Sequence, residues 1–114
     1  MNLAVLSGVL SSAPRIRDLA SGDHVANLDV TTRGAAGDAS SVPVAVFDPS
    51  ATVERLQAGD AVVVVGHVRR RFFRAGGSTQ SRTEVVAQRV VPAVQATRCH
   101  RAIELARAVL DEAV

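Results

Sequence analysis

The stretch Ala61 to Val91, AVVVVGHVRRRFFRAGGSTQSRTEVVAQRVV, holds two runs of β-forming residues on either side of a glycine pair. Valine is frequent in both runs, and β-branched residues are enriched in strands. Gly76 and Gly77 can adopt the positive φ angles that a two-residue hairpin turn requires. The stretch therefore predicts a long β-hairpin, whose arms are the last two strands of the chain.

Three shorter runs that precede this hairpin also have the pattern of strands. Asn2–Leu10 is an apolar run bounded by serines and a proline. His24–Thr32 and Val42–Asp48 alternate, so that one set of side chains in each run faces a core. Phe47 falls on the other set of the third run and is expected to point outward. The expected inner sets are Ala26, Leu28 and Val30 in the second run, and Val42, Val44 and Val46 in the third.

Two helices are predicted, one between the third and fourth strands and one at the end of the chain. Asp48 followed by Pro49 is typical of a helix N-cap and first position, and Gly59 is the predicted stop. From Thr97 onward the spacing becomes helical, with charged residues opposite an apolar face. That face is predicted to hold Ile103, Ala106, Val109 or Leu110, and Ala113.

The resulting order is β-β-β-α-β-β, followed by a helix. A long hairpin between the last two strands of such an order is typical of a five-stranded Greek-key barrel of the OB type. The sequence therefore predicts a mainly β fold, in which residues 1–96 form the barrel, with one short helix between strands three and four. Residues 97–114 are predicted to form a C-terminal amphipathic helix.

Length and composition exclude several classes of protein. A chain of 114 residues suits one domain, and its longest apolar run, Ala61–Val65, is far too short to span a bilayer. The first residues lack the basic segment of a secretory signal, and the single Cys99 cannot form an internal disulfide. Both observations favour the cytoplasm. The histidines and the cysteine lack the spacing of metal ligands, so no metal or cofactor is expected.

Positive charge is concentrated in the hairpin. All 13 basic residues are arginine, and the chain has 11 carboxylates. Four of the arginines lie within Arg69–Arg74. Period two along the fourth strand places Arg69, Arg71 and Phe73 on one face. A groove for single-stranded nucleic acid needs guanidinium groups for the phosphates and flat rings for the unstacked bases. The face therefore predicts nucleic-acid binding, with the outward Phe47 as a second stacking ring.

Other interpretations are open on the bare pattern. Runs of charge are often simply solvated, and the two adjacent phenylalanines of the hairpin could pack against each other or against another subunit. Catalysis is disfavoured, because Cys99 and His100 are helix neighbours that point in different directions. No pair of carboxylates suggests acid–base chemistry either.

Several motifs, in order along the chain, resemble the bacterial single-stranded DNA-binding protein family over nearly all of the predicted barrel. They are NLAVLSGVL in the first strand, SGDHVANLDV in the second, VPVAVF in the third, GDAVVVVGHVRRRFF in the fourth and RTEVVAQRV in the fifth. By this resemblance, Phe47 and Phe73 fall where the family has base-stacking aromatic residues, and Arg69 and Arg71 fall on commonly basic positions. The DNA-binding residues expected from face and resemblance together are Phe73, Phe47, Arg69, Arg71, Arg74, Arg33, Arg82 and His67.

The chain departs from this family at two stacking positions and at its end. Ser41 replaces a tryptophan at the start of the third strand, and the aromatic residue of the loop after the second strand falls near Ala36. A stacked base contributes roughly 1–3 kcal/mol, so binding is expected to be weaker and more salt-sensitive than is usual for the family. The segment 97–114 stands where the family has a long tail with an acidic tip, so a short paralogue without that recruiting tail is expected.

The resemblance implies sequence-nonspecific binding of single-stranded DNA in DNA replication, recombination or repair, in the cytoplasm at the nucleoid. It also implies a homo-oligomer, dimer or tetramer, joined through the first strands, and Asn2–Leu10 is apolar enough to need cover on both faces. RNA is an alternative ligand, because stacking tolerates either backbone. The competing hypothesis is an OB-fold protein-interaction module, a primosomal or accessory relative with weak or no DNA binding. Neither enzymatic activity nor a membrane partner is expected.

Overall fold

The computed structural model describes residues 1–113, and Val114, at the end of the predicted helix 97–114, lies outside the described residues. Within that range, six strands and two helices follow one another along the chain. The strands are β1 (Ala4–Leu10), β2 (Arg15–Asp18), β3 (His24–Arg33), β4 (Ala39–Phe47), β5 (Ala61–Ala75) and β6 (Ser78–Pro92), and the helices are α1 (Ala51–Glu54) and α2 (Ala96–Ala113).

Five of the strands close into a barrel. They lie in the order β1-β5-β6-β4-β3, and β1 closes the ring by pairing antiparallel with β3 at Val9↔Thr31 and Leu10↔Val30. β4 and β6 run parallel, whereas the other neighbours are antiparallel. This mainly β barrel, with α1 between β4 and β5 and α2 at the end, confirms the predicted OB-type fold class.

β5 and β6 form the long hairpin predicted from the sequence. Ala75 pairs with Ser78, so the connection is two residues long, and the φ angles of Gly76 and Gly77 are 58° and 81°. Positive φ at both central residues is the geometry of the tight turns that match the twist of the strands. The turn thereby fixes which side chains of β5 and β6 share a face.

Alternate residues of the strands fill the barrel interior. The inner sets predicted for the second and third runs are confirmed: Ala26 and Val46 are buried with their companions, while Val42 is partly buried. Burying one Val or Leu side chain stabilises a fold by roughly 1.5–3 kcal/mol, so these aliphatic rows are the main support of the barrel. The largest fully buried side chains are Leu10, Leu28, Val30, Val44, Val62 and Val64.

β2 is an element that the sequence does not predict. All four of its residues are exposed, so it lacks the alternation that marks a half-buried strand. It is held by main-chain pairing with β3, from Arg15↔Asn27 to Asp18↔His24. β2 therefore widens the outer surface of the barrel beyond β3 without adding to the core.

The position of α1 corrects the predicted helix start. Ser50, not Asp48, is the N-cap, because its φ and ψ are −68° and 163° and its hydroxyl accepts a hydrogen bond from the Val53 amide. Asp48 has a φ of 48°, a left-handed conformation that Asp tolerates better than most residues and that an N-cap does not use. The helix ends at Glu54, before the predicted stop at Gly59.

The connection between β3 and β4 is shorter than the gap between the predicted strands His24–Thr32 and Val42–Asp48. β4 already begins at Ala39, and it pairs with β3 through Ser40↔Thr32. The small polar residues extend a strand here because the facing strand supplies their main-chain hydrogen bonds, a contribution that composition does not reveal.

α2 packs on the outside of the barrel through its smallest residues. Cys99, Ala102 and Ala106 are buried in a cluster with Val63 and Val65 of β5. The predicted apolar face is therefore only partly correct, because small side chains, rather than large ones, form most of the contact. The larger members of the predicted face, which remain 42–50% exposed, are Ile103, Val109 and Leu110.

No helix within residues 1–113 is long and apolar enough to cross a bilayer.

A bulge interrupts β6. Val65 pairs with Arg89 and Gly66 pairs with Ala87, so Gln88 is an extra residue without a partner on β5. A Cβ on Gly66 would overlap a carbonyl oxygen of the facing strand, so only glycine fits opposite the bulge. The extra residue shifts the alternation of β6 by one position. Side chains that point outward before the bulge have even residue numbers, and those after it have odd ones.

His24 connects β2, β3 and α1 through two carboxylates. Its Nδ1 lies 2.5 Å from Oδ1 of Asp18, and its Nε2 lies 3.2 Å from Oε1 of Glu54. The hydrogen bond with Asp18, supported by the charges of both carboxylates, raises the pKa of His24 above its ordinary value. Because both ring nitrogens are donors only in the protonated imidazole, the two contacts favour the charged form.

The stability of the protein should fall as the pH rises through the pKa of His24. The folded state holds this proton more tightly than the unfolded chain, so the contribution is complete below about pH 6.5 and is lost above the raised pKa. His24→Gln should remove this dependence in thermal unfolding followed by circular dichroism. His100→Gln, an exposed control on α2, should retain it. Identical pH dependence in all three proteins would contradict this role of His24.

Candidate nucleic-acid interface

One outer surface of the barrel collects charged and aromatic residues that the sequence singles out. Side chains that are direct partners across two strands point to the same side of a sheet. Phe47 reaches this side from β4, where its ring lies beside the hairpin. We name this surface the arginine face, and it consists of Phe47 with the β5–β6 partners Arg69 and Glu84, Arg71 and Arg82, and Phe73 and Gln80.

Glu84 is the buried centre of the arginine face, with 3% of the residue exposed. Nε and one Nη of Arg69 donate to its Oε2 at 3.0 and 2.8 Å, and Nε of Arg71 donates to its Oε1 at 3.1 Å. Burial raises the pKa of Glu84, but the hydrogen bonds and charges of Arg71 and Arg69 outweigh burial and hold this pKa below its ordinary value. The carboxylate is therefore charged at neutral pH and fixes both guanidinium groups.

Each of these guanidinium groups also lies over a phenyl ring. Cζ of Arg69 is 5.3 Å from the ring centroid of Phe47, and Cζ of Arg71 is 5.3 Å from that of Phe73. Both distances are within the range of a cation–π contact. The result is two ring–guanidinium layers that share one carboxylate. Their outer parts reach solvent, since the side chains of Arg69 and Arg71 are 39% and 33% exposed.

Two more of the predicted residues, Arg82 and His67, lie on the same side of the hairpin. Nε of Arg82 is 3.9 Å from Oε1 of Glu84, and this buried nitrogen has no hydrogen-bond partner within residues 1–113. His67 is half-buried and pairs with Val86 of β6. Arg82 is thus the least constrained of the three arginines around the carboxylate.

The structure does not bring Arg74 and Arg33 to the arginine face. Arg74 falls on the opposite side of the hairpin, and its Nη2 donates to the carbonyl of Gly77 at 3.3 Å. Arg33 ends β3, where it donates to the carbonyl of Gly37 at 3.2 Å and lines a separate cavity with β1. Contact of these two residues with DNA stays a prediction.

The opposite side of the hairpin carries a similar pair of residues, which serves as an internal comparison. Cζ of Arg70 lies 5.4 Å from the ring centroid of Phe72, and Phe72 is 67% exposed. Arg70 donates from an Nη to the hydroxyl of Ser81 at 2.9 Å. The same two residue types therefore meet on both sides, but the buried carboxylate belongs to the arginine face.

A shallow cleft of about 110 Å³ extends the arginine face toward β2. Phe47, Arg69 and Glu84 line one side of it, and Arg17 of β2 lines the other. Arg17 is not predicted as a site residue because β2 is not predicted, although alternation of arginines within Arg15–Asp18 is a signal for it. Nothing in the sequence around Glu84 indicates a role in the site, because its position opposite Arg69 depends on the register between β5 and β6.

A closed OB-type barrel with arginines and aromatic rings on one outer surface has the architecture of the barrels that bind single-stranded nucleic acids. Residues 1–93 match the single-strand binding protein family, and the matched region contains every strand of the barrel. The chain therefore belongs to this family, whose members are non-enzymatic DNA-binding proteins. Membership supports single-stranded DNA binding as the general function. No curated protein matches the chain.

Glu84→Gln should destabilise the protein at neutral pH. The amide keeps the size of the side chain but leaves Arg69 and Arg71 without their anion. Hydrogen bonds to charged groups contribute about 1.5–3 kcal/mol, and the lower end applies here because both arginines are partly exposed. The lowered pKa means that this stability is present above the ordinary carboxyl pKa and is lost as the pH falls through the folded value.

Urea unfolding followed by circular dichroism, at neutral pH and in acid, measures this effect. The difference in unfolding free energy between wild type and Glu84→Gln should shrink in acid. Glu104→Gln, an exposed carboxylate on α2, should differ little from wild type at either pH. A difference for Glu84→Gln that stays constant with pH would show that its charge is not what stabilises the fold.

Proposed function

We propose that the arginine face binds single-stranded DNA without sequence preference, in DNA replication, recombination or repair. The observation that carries the proposal is the pair of layers at Glu84, where one buried carboxylate holds two guanidinium groups over two phenyl rings. Flat groups that are already ordered lose less conformational entropy on binding than free side chains do. In this proposal, residues 1–96 are the binding domain, and 97–114 is an appended helix.

The bases stack on the two ring–guanidinium layers. Arginine stacks on flat rings as well as pairing with phosphate, so a base can lie on the guanidinium group that covers Phe47 or Phe73. Stacking tolerates any sequence because every base has a π-face. The guanidinium planes add stacking surface to the two rings, but the chain still lacks aromatic residues at Ser41 and near Ala36. Binding weaker than is usual for the family therefore stays a prediction.

The phosphates bind the donors that Glu84 leaves free. A guanidinium group has five N–H donors, and Arg69 directs two of its nitrogens to Glu84 while Arg71 directs one. Arg82, 3.9 Å from the carboxylate, is the freest of the three. Three arginines exceed one carboxylate in charge, so the arginine face remains cationic.

The protein acts on exposed single strands in the cytoplasm, at the nucleoid. DNA rather than RNA is proposed on the basis of family membership. The stacking layers themselves do not read the 2′-hydroxyl group, which is what distinguishes RNA from DNA at a given site. An RNA competitor of matched length in a binding assay separates the two ligands.

Phe73→Ala should weaken the binding of a labelled oligothymidine by about 5- to 150-fold, which corresponds to the 1–3 kcal/mol of one stacked base. Phe72→Ala is the matched control, because it makes the same change at the preceding residue, which lies on the opposite side of the hairpin. It should bind like wild type. The chain has no Trp or Tyr, so the measurement uses anisotropy of a labelled strand. A length of roughly 35 nucleotides spans several OB sites.

Equal losses in Phe73→Ala and Phe72→Ala would indicate a general effect on the hairpin rather than stacking on the arginine face. Failure of the wild type to bind at low salt would instead favour the protein-interaction module.

We also propose that the protein forms a homo-oligomer, dimer or tetramer, through β1. Val5 and Val9 of β1 are 46% and 41% exposed. β1 pairs with β5 along Ala4–Val9 but with β3 only at Val9 and Leu10, so the first half of its other edge has no partner strand within residues 1–113. An apolar strand with a free edge is a template for pairing with a second copy.

Light scattering at micromolar concentration should give the mass of a dimer or tetramer. Val5→Lys should lower this mass, because a charge on the outer side of β1 opposes an apolar contact. Val94→Lys, at a residue that is 92% exposed just before α2, makes the same change elsewhere and should leave the mass unaltered. A wild type that is only monomeric would remove the claim.

A further inference from the structure

A second cleft, of about 350 Å³, opens beside the arginine face where β4 ends. Its volume falls within the range of small-ligand sites. One wall is formed by the end of β4 and the start of α1, and the other by the bulge of β6 and the first turns of α2. We name it the helix cleft, and its principal lining residues are Phe47, Asp48, Gln88, Arg89, Arg98 and Arg101.

Arginines outnumber carboxylates in the helix cleft. Arg89 comes from β6, and Arg98 and Arg101 come from the first two turns of α2. All three are exposed, and Asp48 is the only carboxylate among the described residues that line the cleft. Arg98 donates from one Nη to Oε1 of Gln95 at 2.6 Å, which leaves its other donors free. The charge balance favours an anionic ligand, and the guanidinium groups favour phosphate.

The packing of α2 holds two of these arginines beside the sheet. Cys99 and Ala102, which follow Arg98 and Arg101 in the helix, are 7% and 2% exposed. Sγ of Cys99 lies 3.5 Å from the carbonyl oxygen of Pro92 at the end of β6. The first turns of α2 therefore cannot leave the barrel without exposing this contact, so the arginines keep their place in the cleft.

The bulge at Gln88 gives the third arginine its direction. Arg89 pairs with Val65, whose side chain faces α2 on the outside of the barrel. Glu84, further back in the same strand, pairs with Arg69 on the arginine face. Without the extra residue, alternation would turn one of these two side chains inward. The bulge thus keeps the cationic residue of the cleft and the carboxylate of the arginine face on the same side of β6.

Phe47 joins the helix cleft to the arginine face. It lines both the helix cleft and the smaller cleft that holds Arg69 and Glu84. A base stacked at Phe47 therefore has the arginines of the hairpin on one side and those of the helix cleft on the other. This continuity favours a polynucleotide over an acidic peptide, because successive phosphates of one strand can occupy both surfaces.

We propose that a single strand bound on the arginine face continues past Phe47 into the helix cleft, where Arg89, Arg98 and Arg101 bind its phosphates. The inference rests on the proposed function of the arginine face. It assigns nucleic-acid contacts to α2, which lies outside the residues that match the family. α2 thereby lengthens the segment of strand that one barrel occupies.

The test compares two double variants of equal charge change in anisotropy titrations with oligothymidines of increasing length. Arg98→Ala/Arg101→Ala removes the α2 cations of the helix cleft, whereas Arg55→Ala/Arg107→Ala removes two exposed arginines that do not line it. Affinity should stop rising at a shorter length in the cleft variant than in wild type or the control. Its slope of log affinity against log salt should also be shallower by about 1.4, because each lost phosphate contact removes about 0.7.

The same limiting length and the same slope in both double variants would overturn the assignment and leave the arginine face intact, since Phe73→Ala tests that face separately. Binding of oligoglutamate by wild type but not by the cleft variant, with unchanged oligothymidine titrations, would overturn it in favour of an acidic peptide. Failure of the wild type to bind any oligothymidine would overturn both the proposed function and this inference.

Discussion

The ion pairs between the buried carboxylate of Glu84 and the guanidinium groups of Arg69 and Arg71 hold the candidate interface together. A carboxylate that is 3% exposed needs counter-charges and hydrogen bonds, and these two arginines supply both. The carboxylate in turn fixes the guanidinium planes that lie over Phe47 and Phe73. Loss of one member leaves the others without a fixed position, so the energies of the network are not additive.

The barrel supplies the register on which this network depends. Along β5, alternation sends Val64 into the core and Val65 outward against α2, and the same outward side then carries Arg69. The two-glycine turn fixes the pairing at one end of the hairpin, and the bulge at Gln88 adjusts it at the other. The hairpin thus contributes to the core with its inner side, and to the contact with α2 and both cationic surfaces with its outer side, because period two separates the two sides.

Local signals made much of this arrangement predictable. Gly76–Gly77 marks the hairpin, and period two alone places Arg69 beside Phe73 on one face. The features that the sequence does not reveal depend on a partner elsewhere in the chain: β2 is held by the main chain of β3, and the hydrogen bonds of Glu84 span 13 and 15 residues. Likewise, helical spacing shows which residues of α2 share a face, but not that the sheet contacts the small side chains around Ala102.

The arginine face is tested most directly by competition, in which unlabelled single strands and duplexes of equal length displace a labelled oligothymidine over a series of salt concentrations. A surface that stacks unpaired bases and binds phosphates should bind saturably and prefer the single strand. Its log affinity should fall against log salt with a slope near −0.7 for each phosphate contact. Equal displacement by the duplex, or affinity that does not change with salt, would contradict the assignment of this surface to single-stranded DNA.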